Sequence, residues 1–572
     1  MLKNYNTTKH IKNFFHKKHK LCLILAALFF GTSLIAQAPE LVSSEAFHPR
    51  FLTEYDGLLF FCAQDADGKE WLWSTDGITT VKYTGSATEE HPGTQPHSLT
   101  VLNDQLIFSA VYREEEEGNW NRELFKFDGT EPVLIKNINP NGASAPGYGD
   151  PGIFDFGKLN DKLYFTADNG SVGSELWTTD GTEGGTHLVA NIALQLDHSY
   201  AHSFVEYNGK LLFTAKYYYF DRGLHITDGT TEGTSLVKDI SSGSGTTQIR
   251  ELTAFNNKIY FAATGDSSGN ELWVTDGTES GTHMVKNIGS FSSGSKPSDL
   301  TVYNGKLYFS AEDETYGREL WVSDGTEAGT ELFIDFNTGV GGAGEPLSGD
   351  PVNFIENDGK LYFGASNEEG HNSALWATDG TVAGTVMVNE FNHNPLPVFS
   401  YDDNVYFVGP GGTTTYRKDL WVSDGTSAGT QIVEPDNTTS IYSPIYIGNN
   451  DHLKSSYKIV NGVFYFTANY GTTDSANQNR NKLYKIDASS LSVNTPKISE
   501  FSAYPNPVID VLHLDINANH IQKINLFSIT GQSLKSWDAQ SEIDLSQFAS
   551  GIYFVKITTG DNQTMIKRVV KN

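Results

Sequence analysis

The sequence predicts an all-β protein: a large ring of four-stranded sheets followed by a small β-sandwich. Two observations carry this prediction. The first is a pattern, Glu-Leu-Trp-x-x-Asp-Gly-Thr-x-x-Gly-Thr, that recurs at intervals of 45 to 55 residues along most of the 572-residue chain. The second is the composition, with 55 glycines, 12% aromatic residues and only 19% charged residues, which is typical of many short strands joined by tight turns.

The first 36 residues have the composition of an export signal. Six lysines and no carboxylate occur there, and the apolar run that ends at Ala36 is too short to span a membrane comfortably. We therefore expect a signal peptide over residues 1–36, cleaved before Gln37, and no transmembrane segment in the mature chain. Cys22 lies within this leader, so Cys62 is the only thiol expected after cleavage. It stands in an apolar run, which predicts a buried structural thiol and no internal disulfide.

Each repeat contains two hairpins. Upstream of the Asp-Gly-Thr turn lies a second pattern, typified by Leu300 to Ala311, in which Asn-Gly separates two alternating apolar runs. This is a strong hairpin signal because both turn residues need a positive φ. Four antiparallel strands repeated at this period predict the blades of a β-propeller, in which each blade buries its apolar faces against its neighbours. The Asp-Gly turns begin at Asp76, Asp128, Asp180, Asp228, Asp276, Asp324, Asp379 and Asp424, and a degenerate copy ends at Asp487.

The number of blades follows from counting strands. Nine first hairpins are present, from Phe51–Cys62 to Tyr457–Ala468, and the fourth strands also number nine if Pro39–Val42 completes the last unit. That pairing would join the two ends of the array and close the ring. The propeller domain is therefore expected over residues 37–490 with nine blades. Because rings of ~4–8 blades are usual, eight blades and one irregular unit are the alternative.

The repeat resembles a known family of exported bacterial proteins, those with the ELW-x-x-DGT-x-x-GT repeat. The resemblance covers roughly residues 40–490 and implies a structural repeat without an assigned reaction. Single positions depart from the pattern, as at His225, where the repeat has Trp. The best-matching segments are Glu175–Thr186, Glu271–Thr282 and Glu319–Thr330.

The chain beyond a polar linker, residues 491–500, follows a different pattern of short strands and turns. Its order of motifs resembles the C-terminal sorting domain (type A) of the type IX secretion system of Bacteroidetes, a small Ig-like β-sandwich. The resemblance implies that residues 501–572 carry the protein through the outer-membrane secretion machinery to the cell surface or the medium. An adhesive β-domain is the alternative that composition alone suggests. The residues that carry the resemblance are Tyr504, Pro505, Asn506, Pro507, Gly531, Gly551, Tyr553, Lys567 and Lys571.

Charge and motifs argue against several functions. The expected mature chain has 40 basic residues less the six lysines of the leader, against 69 acidic ones, so its formal net charge is −35. Nucleic acid is therefore not an expected partner, because phosphate recognition needs a basic surface. No cofactor is implied by the residues. Asp65-Ala66-Asp67-Gly68 resembles the start of a calcium loop but lacks a glutamate at the twelfth position, so a turn is preferred and calcium stays open.

The repeated tryptophans and aspartates are expected to be structural. A residue placed identically in successive blades, one step after an apolar leucine, is most simply a packing residue between blades rather than a platform for sugars. The aspartate of each Asp-Gly-Thr segment is expected to cap its own turn. The tryptophans concerned are Trp73, Trp177, Trp273, Trp321, Trp376 and Trp421.

Variable loops are the expected place of function. In a propeller the short Asn-Gly and Asp-Gly-Thr turns share one face, so the opposite face, which we call the variable-loop face, carries the longer loops. Two of these loops stand out for their aromatic residues, although either could be solvated or packed on itself. Ligand contacts are expected from Trp120 in the first loop and from Tyr217, Tyr218, Tyr219, Phe220 and Arg222 in the second.

The expected function is a secreted or surface-displayed binding or adhesion protein that recognises a glycan or another protein. No familiar catalytic spacing is present, which favours binding over catalysis. A pair of carboxylates can nevertheless be assembled from two blades without a linear trace. An extracellular polysaccharide hydrolase or lyase with acidic residues at the central opening is therefore the first alternative, and a structural surface component is the second.

Overall fold

The chain is all-β wherever the structure describes it. The computed structural model describes residues 39–84, 94–114, 120–146, 156–193, 198–218, 221–240, 249–265, 268–290, 292–342, 344–367, 373–410, 418–433, 457–468, 481–487, 502–515, 521–528, 533–559 and 564–572. These residues form 43 strands, and no helix suited to crossing a membrane occurs among them. The expected signal peptide, residues 1–36, and the expected linker, residues 491–500, lie outside the described ranges.

The strands described in the first part of the chain form nine blades, of which blades nine and one are joined in one eight-stranded sheet by the pairing of Phe47 with Lys482. In each of blades one to eight four consecutive strands pair antiparallel in sequence order. The strand β1 (Glu40–Leu41) comes first in the chain and belongs to the last blade. Blades one to four consist of β2 (Phe47–Tyr55), β3 (Leu58–Gln64), β4 (Glu70–Thr75) and β5 (Thr80–Tyr83); β6 (Thr94–Leu102), β7 (Gln105–Glu114), β8 (Trp120–Phe127) and β9 (Pro132–Lys136); β10 (Gly157–Leu159), β11 (Lys162–Asp168), β12 (Ser174–Thr179) and β13 (His187–Ala190); and β14 (His202–Tyr207), β15 (Lys210–Tyr218), β16 (Asp221–Thr227) and β17 (Ser235–Lys238).

The remaining blades repeat the same order. They consist of β18 (Ile249–Phe255), β19 (Lys258–Gly265), β20 (Gly269–Thr275) and β21 (His283–Lys286); β22 (Ser298–Tyr303), β23 (Lys306–Asp313), β24 (Gly317–Ser323) and β25 (Glu331–Ile334); β26 (Val352–Asn357), β27 (Lys360–Ser366), β28 (Ser373–Thr378) and β29 (Val386–Phe391); β30 (Leu396–Tyr401), β31 (Asn404–Pro410), β32 (Lys418–Ser423) and β33 (Gln431–Ile432); and, in blade nine, β34 (Tyr457–Val460), β35 (Val463–Ala468) and β36 (Lys482–Asp487) together with β1.

A separate apolar cluster fills each of the nine gaps between neighbouring blades. Between blades five and six, for example, Leu272 packs with Phe309 and Trp321. The gap between blades nine and one holds Tyr465 and Trp73. Each fully buried side chain of this size contributes roughly 1.5–3 kcal/mol through removal of its apolar surface from water. Because the clusters lead from blade one around to blade one again, the propeller is a closed ring. It has nine blades, which confirms the expected nine and not the alternative of eight blades and one irregular unit.

The repeated tryptophans lie in these clusters, which confirms their expected packing role. Trp73, Trp177, Trp273 and Trp321 are at most 9% exposed, and Trp421 is half-buried against the cluster of blades seven and eight. Trp376 occupies the same position between blades six and seven. The buried Cys62 thiol likewise lies in the strand core, and burial raises its pKa to about 12, so it is not a nucleophile at neutral pH.

The two ends of the repeat array pair with each other, as expected for Pro39–Val42. Glu40 and Leu41 lie opposite Lys485 and Tyr484 in antiparallel register. The Lys485 ammonium lies 3.2 Å from the Glu40 carboxylate and donates to the Gly77 carbonyl oxygen at 2.7 Å. Residues 40 and 41 therefore supply the fourth strand of blade nine and close the ring.

The first strand of each blade lies nearest the ring axis. First strands of successive blades contact one another, for example β14 with β18 and β18 with β22, as converging strands must around a central opening. Turns such as Asn208-Gly209, with φ values of 50° and 70°, join the first and second strands on one face. The Asp-Gly-Thr turns join the third and fourth strands on the same face, so the loops between second and third strands lie on the opposite, variable-loop face.

The C-terminal unit is a separate β-sandwich with its own core. One sheet pairs three strands in the order β37 (Ser502–Tyr504), β38 (Val511–Asp515) and β41 (Glu542–Asp544). The other pairs four strands in the order β40 (Ser533–Trp537), β39 (Ile521–Ser528), β42 (Gly551–Thr559) and β43 (Thr564–Lys571). Leu512, Ile524, Ile543 and Val555 from the two sheets are fully buried between them.

Candidate functional site

The two loops expected to contact ligand lie at the ends of strands on the variable-loop face. Trp120 is the first residue of β8 and pairs with Glu114, and Tyr218 is the last residue of β15 and pairs with Asp221. Tyr217 and Arg222 are described in full, whereas Tyr219 and Phe220 lie outside the described residues. The structure therefore describes more of the expected contact residues in the second loop, in blade four, than in the first.

Aromatic and cationic side chains gather at this end of blade four. The Tyr200 ring stacks on His198, with centroids 5.1 Å apart and an interplanar angle of 30°. The Lys216 ammonium lies 4.9 Å from the centroid of the Tyr200 ring, a cation–π contact. Arg222 lies directly across the strand pair from Lys216 and donates to the Tyr200 carbonyl oxygen at 3.2 Å. Tyr217, the next residue of β15 after Lys216, is half-buried, and we call these five residues at the end of blade four the blade-four patch.

The connector from blade three brings half of this patch into place. The backbone N–H of Lys216 donates to the Ser199 carbonyl oxygen at 2.7 Å, and the Ser199 N–H donates to Ser174. The His198 Nδ1 atom accepts a hydrogen bond from the Ser174 N–H at 2.9 Å, which fixes the orientation of the ring. The sequence pattern did not indicate His198 or Tyr200, because they come from an inter-blade connector and not from the repeat.

His225 takes the place of the repeated tryptophan directly beneath the patch. Its ring stacks on Phe213 with centroids 5.6 Å apart and faces Tyr217 at 6.1 Å. Only 3% of His225 is exposed, and burial lowers its pKa to about 4. His225 is therefore a neutral, polar replacement for an apolar packing residue, and the imidazole is uncharged at neutral pH.

Arg222 has counterparts that show what its position does in the fold. Arg122 in blade two and Arg318 in blade six occupy the equivalent place in the third strand, and their guanidinium groups donate to the backbone carbonyl oxygens of Gln95 and Lys296. Each of these acceptors lies at or just before the start of the innermost strand of its blade, as Tyr200 does. The buried arginine thus anchors the start of the innermost strand, and in blade four it also adds positive charge to the patch.

The glutamate of the repeated Glu-Leu-Trp segment has a structural role that the sequence pattern did not reveal. Its buried carboxylate accepts hydrogen bonds from backbone N–H groups of the connector to the next blade. Glu319, for instance, accepts from Phe336 at 3.0 Å and from Gly349 at 2.5 Å. Burial raises the pKa of Glu319 to about 8 and that of Glu123 to about 7, against the opposing effect of these hydrogen bonds. The sequence feature that could have revealed this role is the glutamate that recurs before the leucine of the repeat.

The aspartates of the Asp-Gly-Thr turns behave as expected. The Asp276 Oδ1 atom accepts from the Thr278 N–H at 2.9 Å and from the Thr278 hydroxyl at 2.6 Å, and these hydrogen bonds lower its pKa. At the loop that resembles a calcium site, Asp65 accepts from the Trp71 indole at 2.8 Å and pairs with Lys82 at 3.3 Å. Among the described residues no group of His, Cys, Asp and Glu is arranged to hold a metal ion.

The innermost strands carry a second group of residues, most of them polar, that the sequence analysis did not single out. In six blades this strand contains a β-bulge at which a residue other than glycine has a φ between 56° and 62°. The same backbone feature holds a different residue in most blades, on the strand nearest the ring axis. These residues are Phe51, Ser98, Ser203, Glu251, Asp299 and Asn353.

The motif residues of the C-terminal unit hold that unit together. The Asn506 side chain donates to the Arg568 carbonyl oxygen at 3.1 Å and accepts from the Val570 N–H at 2.9 Å. Gly551 pairs with Lys571, which is 7% exposed, and Lys567 pairs with Val555 in the last two strands. The Tyr553 hydroxyl donates to Ala549 at 2.8 Å, and Pro505 and Pro507 flank Asn506 in the turn after Tyr504. Gly531 lies outside the described residues.

Comparison with known proteins identifies the C-terminal unit. Residues 502–572 match the family of secretion system C-terminal sorting domains. Among curated proteins, an ulvan lyase from Nonlabens ulvanivorans is 27% identical over 143 residues, which are 24% of this chain and 27% of that enzyme. The match therefore spans about a quarter of the relative's length.

Several solved structures are also similar. They are puromycin hydrolase (TM-score 0.34, 11% identity, 68% of this chain and 61% of that chain), oligopeptidase B from Leishmania major (TM-score 0.33, 10% identity, 67% and 53%) and the β-propeller domain of the Trilobed protease from Pyrococcus furiosus (TM-score 0.30, 12% identity, 60% and 98%). These likenesses concern the fold alone.

Proposed function

We propose that this secreted β-propeller protein binds a glycan through the blade-four patch on its variable-loop face. The sorting domain at residues 502–572 links the chain to the type IX secretion machinery and to export to the cell surface or the medium, so extracellular polysaccharides are within its reach. The observation that carries the proposal is the cation–π pair of Lys216 and Tyr200, with Tyr217 next to Lys216 in β15, at positions outside the repeated sequence pattern. We likewise propose that residues 1–36 are a cleavable signal peptide.

The chemistry of the patch suits a sugar. The C–H face of a pyranose packs on an aromatic ring such as Tyr217, while its hydroxyls need donors and acceptors at the rim. Lys216, Arg222 and His198 supply donors on a chain whose formal charge is strongly negative elsewhere. Because such an isolated cationic area attracts anions and the rest of the surface repels them, a carboxylated or sulfated glycan is the favoured ligand.

A polysaccharide lyase is the second candidate. The similarity to an ulvan lyase over 143 residues supports it. Elimination next to a uronate carboxylate needs a base for the proton on the adjacent carbon and a cation that stabilises the developing charge. Tyr200, Tyr217 and His198 could act as the base and Lys216 as the cation, so the same patch would serve both functions.

The test is to present the mature protein, residues 37–572, with neutral, carboxylated and sulfated polysaccharides, and to record retention together with reducing ends and unsaturated products. Retention without products supports binding, and unsaturated products identify a lyase. Tyr217→Ala and Lys216→Ala should each weaken retention about tenfold or more, because each removes a contact worth on the order of 1–2 kcal/mol. Tyr316→Ala is the matched control, since Tyr316 is a partly exposed tyrosine in the loop between β23 and β24 on the same face of blade six.

Two outcomes would contradict the proposal. If no polysaccharide is retained or cleaved, a structural surface component becomes the better explanation. If retention is strong but equal in the Tyr217→Ala and Tyr316→Ala variants, the ligand contacts another part of the protein.

A further inference from the structure

The two sheets of the C-terminal unit carry opposite charges. Residues 501–572 contain six basic and six acidic residues, so they are formally neutral on a chain that is otherwise strongly acidic. The three-stranded sheet of β37, β38 and β41 contains Asp515, Glu542 and Asp544 and no lysine or arginine. The four-stranded sheet of β39, β40, β42 and β43 contains no carboxylate and all six basic residues. These are Lys523, Lys535, Lys556, Lys567, Arg568 and Lys571.

The outer face of the four-stranded sheet is apolar. Side chains alternate between the two faces of a strand, and Val555 of β42 lies in the core, so its neighbour Phe554 lies on the outer face. Phe527 of β39 lies directly opposite Phe554, and both rings are half-buried. Ile552, two residues before Phe554, is 37% exposed and lies opposite Val570. None of these four outer side chains belongs to the core, although the solvent face of an antiparallel sheet is normally polar.

Three cations on the same face have no anionic partner among the described residues. Arg568 lies directly opposite Phe554, and Lys556 stands two residues after Phe554 in β42. Lys523 stands four residues before Phe527 in β39, so alternation places it on this face as well. Lys523 and Arg568 are exposed. We call this surface the cationic sheet face, and it consists of Phe527, Ile552, Phe554, Val570, Lys523, Lys556 and Arg568.

The charge and the flatness of this face narrow the choice of partner. A second copy of the chain is disfavoured, because a two-fold contact through this face would bring the unpaired cations of both copies together. A lipid surface is disfavoured too, since membrane binding needs apolar side chains that project into the acyl region, and Ile552 is only 37% exposed while both phenylalanines are half-buried in the sheet. A flat apolar face with basic residues instead suits a protein surface, on which a sheet packs at about 10 Å.

We propose that the secretion machinery recognises the C-terminal unit through the cationic sheet face, and that its contacting protein has an apolar surface bordered by carboxylates. The match of residues 502–572 to sorting domains links the unit to this machinery. Phe527 and Phe554 would fill the centre of the contact, and Lys556 and Arg568 would pair with the carboxylates at its rim. The acidic propeller is repelled by such a partner, so that the tail engages it and the propeller does not. This inference is independent of the glycan proposal.

The test follows export of the full-length chain from a bacterium that has the type IX secretion system, as the periplasmic fraction of the protein. Phe554→Thr removes an apolar centre, and the double variant Lys556→Glu/Arg568→Glu reverses the rim charge. Each should raise the periplasmic fraction about fivefold or more, because a few central residues carry most of the affinity of an interface. The double variant removes no apolar core residue, so it keeps the test valid if Phe554→Thr unfolds the unit.

Two controls match these variants. Val511→Thr changes an apolar side chain of similar exposure, 40%, on the three-stranded sheet, and it should be exported like the parent chain. Lys306→Glu/Lys360→Glu, at exposed positions of blades six and seven, changes the net charge of the chain by the same amount as the double variant and should also be exported normally. The melting temperature of each purified variant shows whether it is folded.

The outcomes separate the possible partners. Normal export of Phe554→Thr and of Lys556→Glu/Arg568→Glu overturns the proposal, as does a block of export that Val511→Thr shares. The purified mature chain should neither float with vesicles of phosphatidylglycerol nor dimerise. If it floats, or if it forms a dimer, and the double variant abolishes that behaviour, then a lipid surface or a second copy occupies the face and the proposal is wrong.

Discussion

The buried glutamates that hold the blade connectors should make the stability of the propeller depend on pH. Glu319 is fully buried, accepts from the N–H groups of Phe336 and Gly349, and has a pKa of about 8 against an ordinary value of 4.5. A carboxyl whose pKa is raised in the folded state favours folding while it is protonated. Its contribution is therefore fully present below pH 4.5 and is lost as the pH rises through 8.

The magnitude follows from the shift. A change of about 3.5 pKa units corresponds to up to about 5 kcal/mol of unfolding free energy between the two limits. Glu319→Gln removes the titration. Its side-chain carbonyl oxygen accepts from one of the two N–H groups, and the N–H group left unpaired costs about 1–3 kcal/mol at every pH. The variant should therefore be destabilised near pH 5 and should lose much less stability than the parent protein as the pH rises to 8.

Hydrogen exchange and urea unfolding measure these effects. The parent protein should show faster exchange in peptides that contain Phe336 and Gly349 at pH 8 than at pH 5, after correction for intrinsic exchange, and a lower urea midpoint. Glu319→Gln should flatten both profiles, whereas Glu331→Gln, at an exposed position of the same blade, should leave them unchanged. Identical pH profiles in the parent protein and in Glu319→Gln would refute the reasoning, because they would mean that Glu319 does not titrate in this range.

Three further predictions concern the closure, the export and the acid stability of the propeller. Deleting residues 37–42 removes the β1 strand of blade nine, so we expect a lower melting temperature and faster proteolysis between residues 457 and 487; an unchanged melting temperature would argue against closure by this strand. Deleting residues 501–572 should trap the protein in the periplasm, and normal export of the truncation, followed by cell fractionation, would defeat the assignment of the sorting signal. His225→Phe should reduce the loss of stability on acidification, because the pKa of His225 is lowered from 6.5 to about 4. Its contribution, about 3 kcal/mol, is present above pH 6.5 and is lost as the pH falls toward 4; acid unfolding curves that coincide with the parent's would rule this out.

The architecture was largely predictable from the residues. The features that predicted it depend on local backbone geometry and on packing that repeats in each blade. They are the regular spacing of the Asp-Gly turns, the Asn-Gly hairpins and the tryptophan after each leucine. The pairing of Glu40 and Leu41 with β36 was also predictable, since it followed from counting strands. The count of nine blades needed the structure only to exclude the eight-bladed alternative.

The candidate site was less predictable. The sequence indicated Tyr217 and Arg222 through a departure from the repeat, but it did not indicate His198 or Tyr200, which reach the same place through a connector from blade three. It also did not show that Arg222 shares its anchoring contact with Arg122 and Arg318. The partners of these side chains come from segments whose lengths differ between blades, so no fixed spacing relates them.

By itself, then, the sequence determined what each unit is: a four-stranded blade with turns of defined chemistry, and a sorting domain at residues 502–572. These features depend on residues that lie near one another in the sequence. Tertiary structure alone decided which side chains meet across blades, as when Asp299 accepts from Asn353 and when Glu319 buries its carboxylate against a connector. The physical reason is that ring closure brings the innermost strands together at the axis, and convergence of nine copies creates a surface that no single copy encodes.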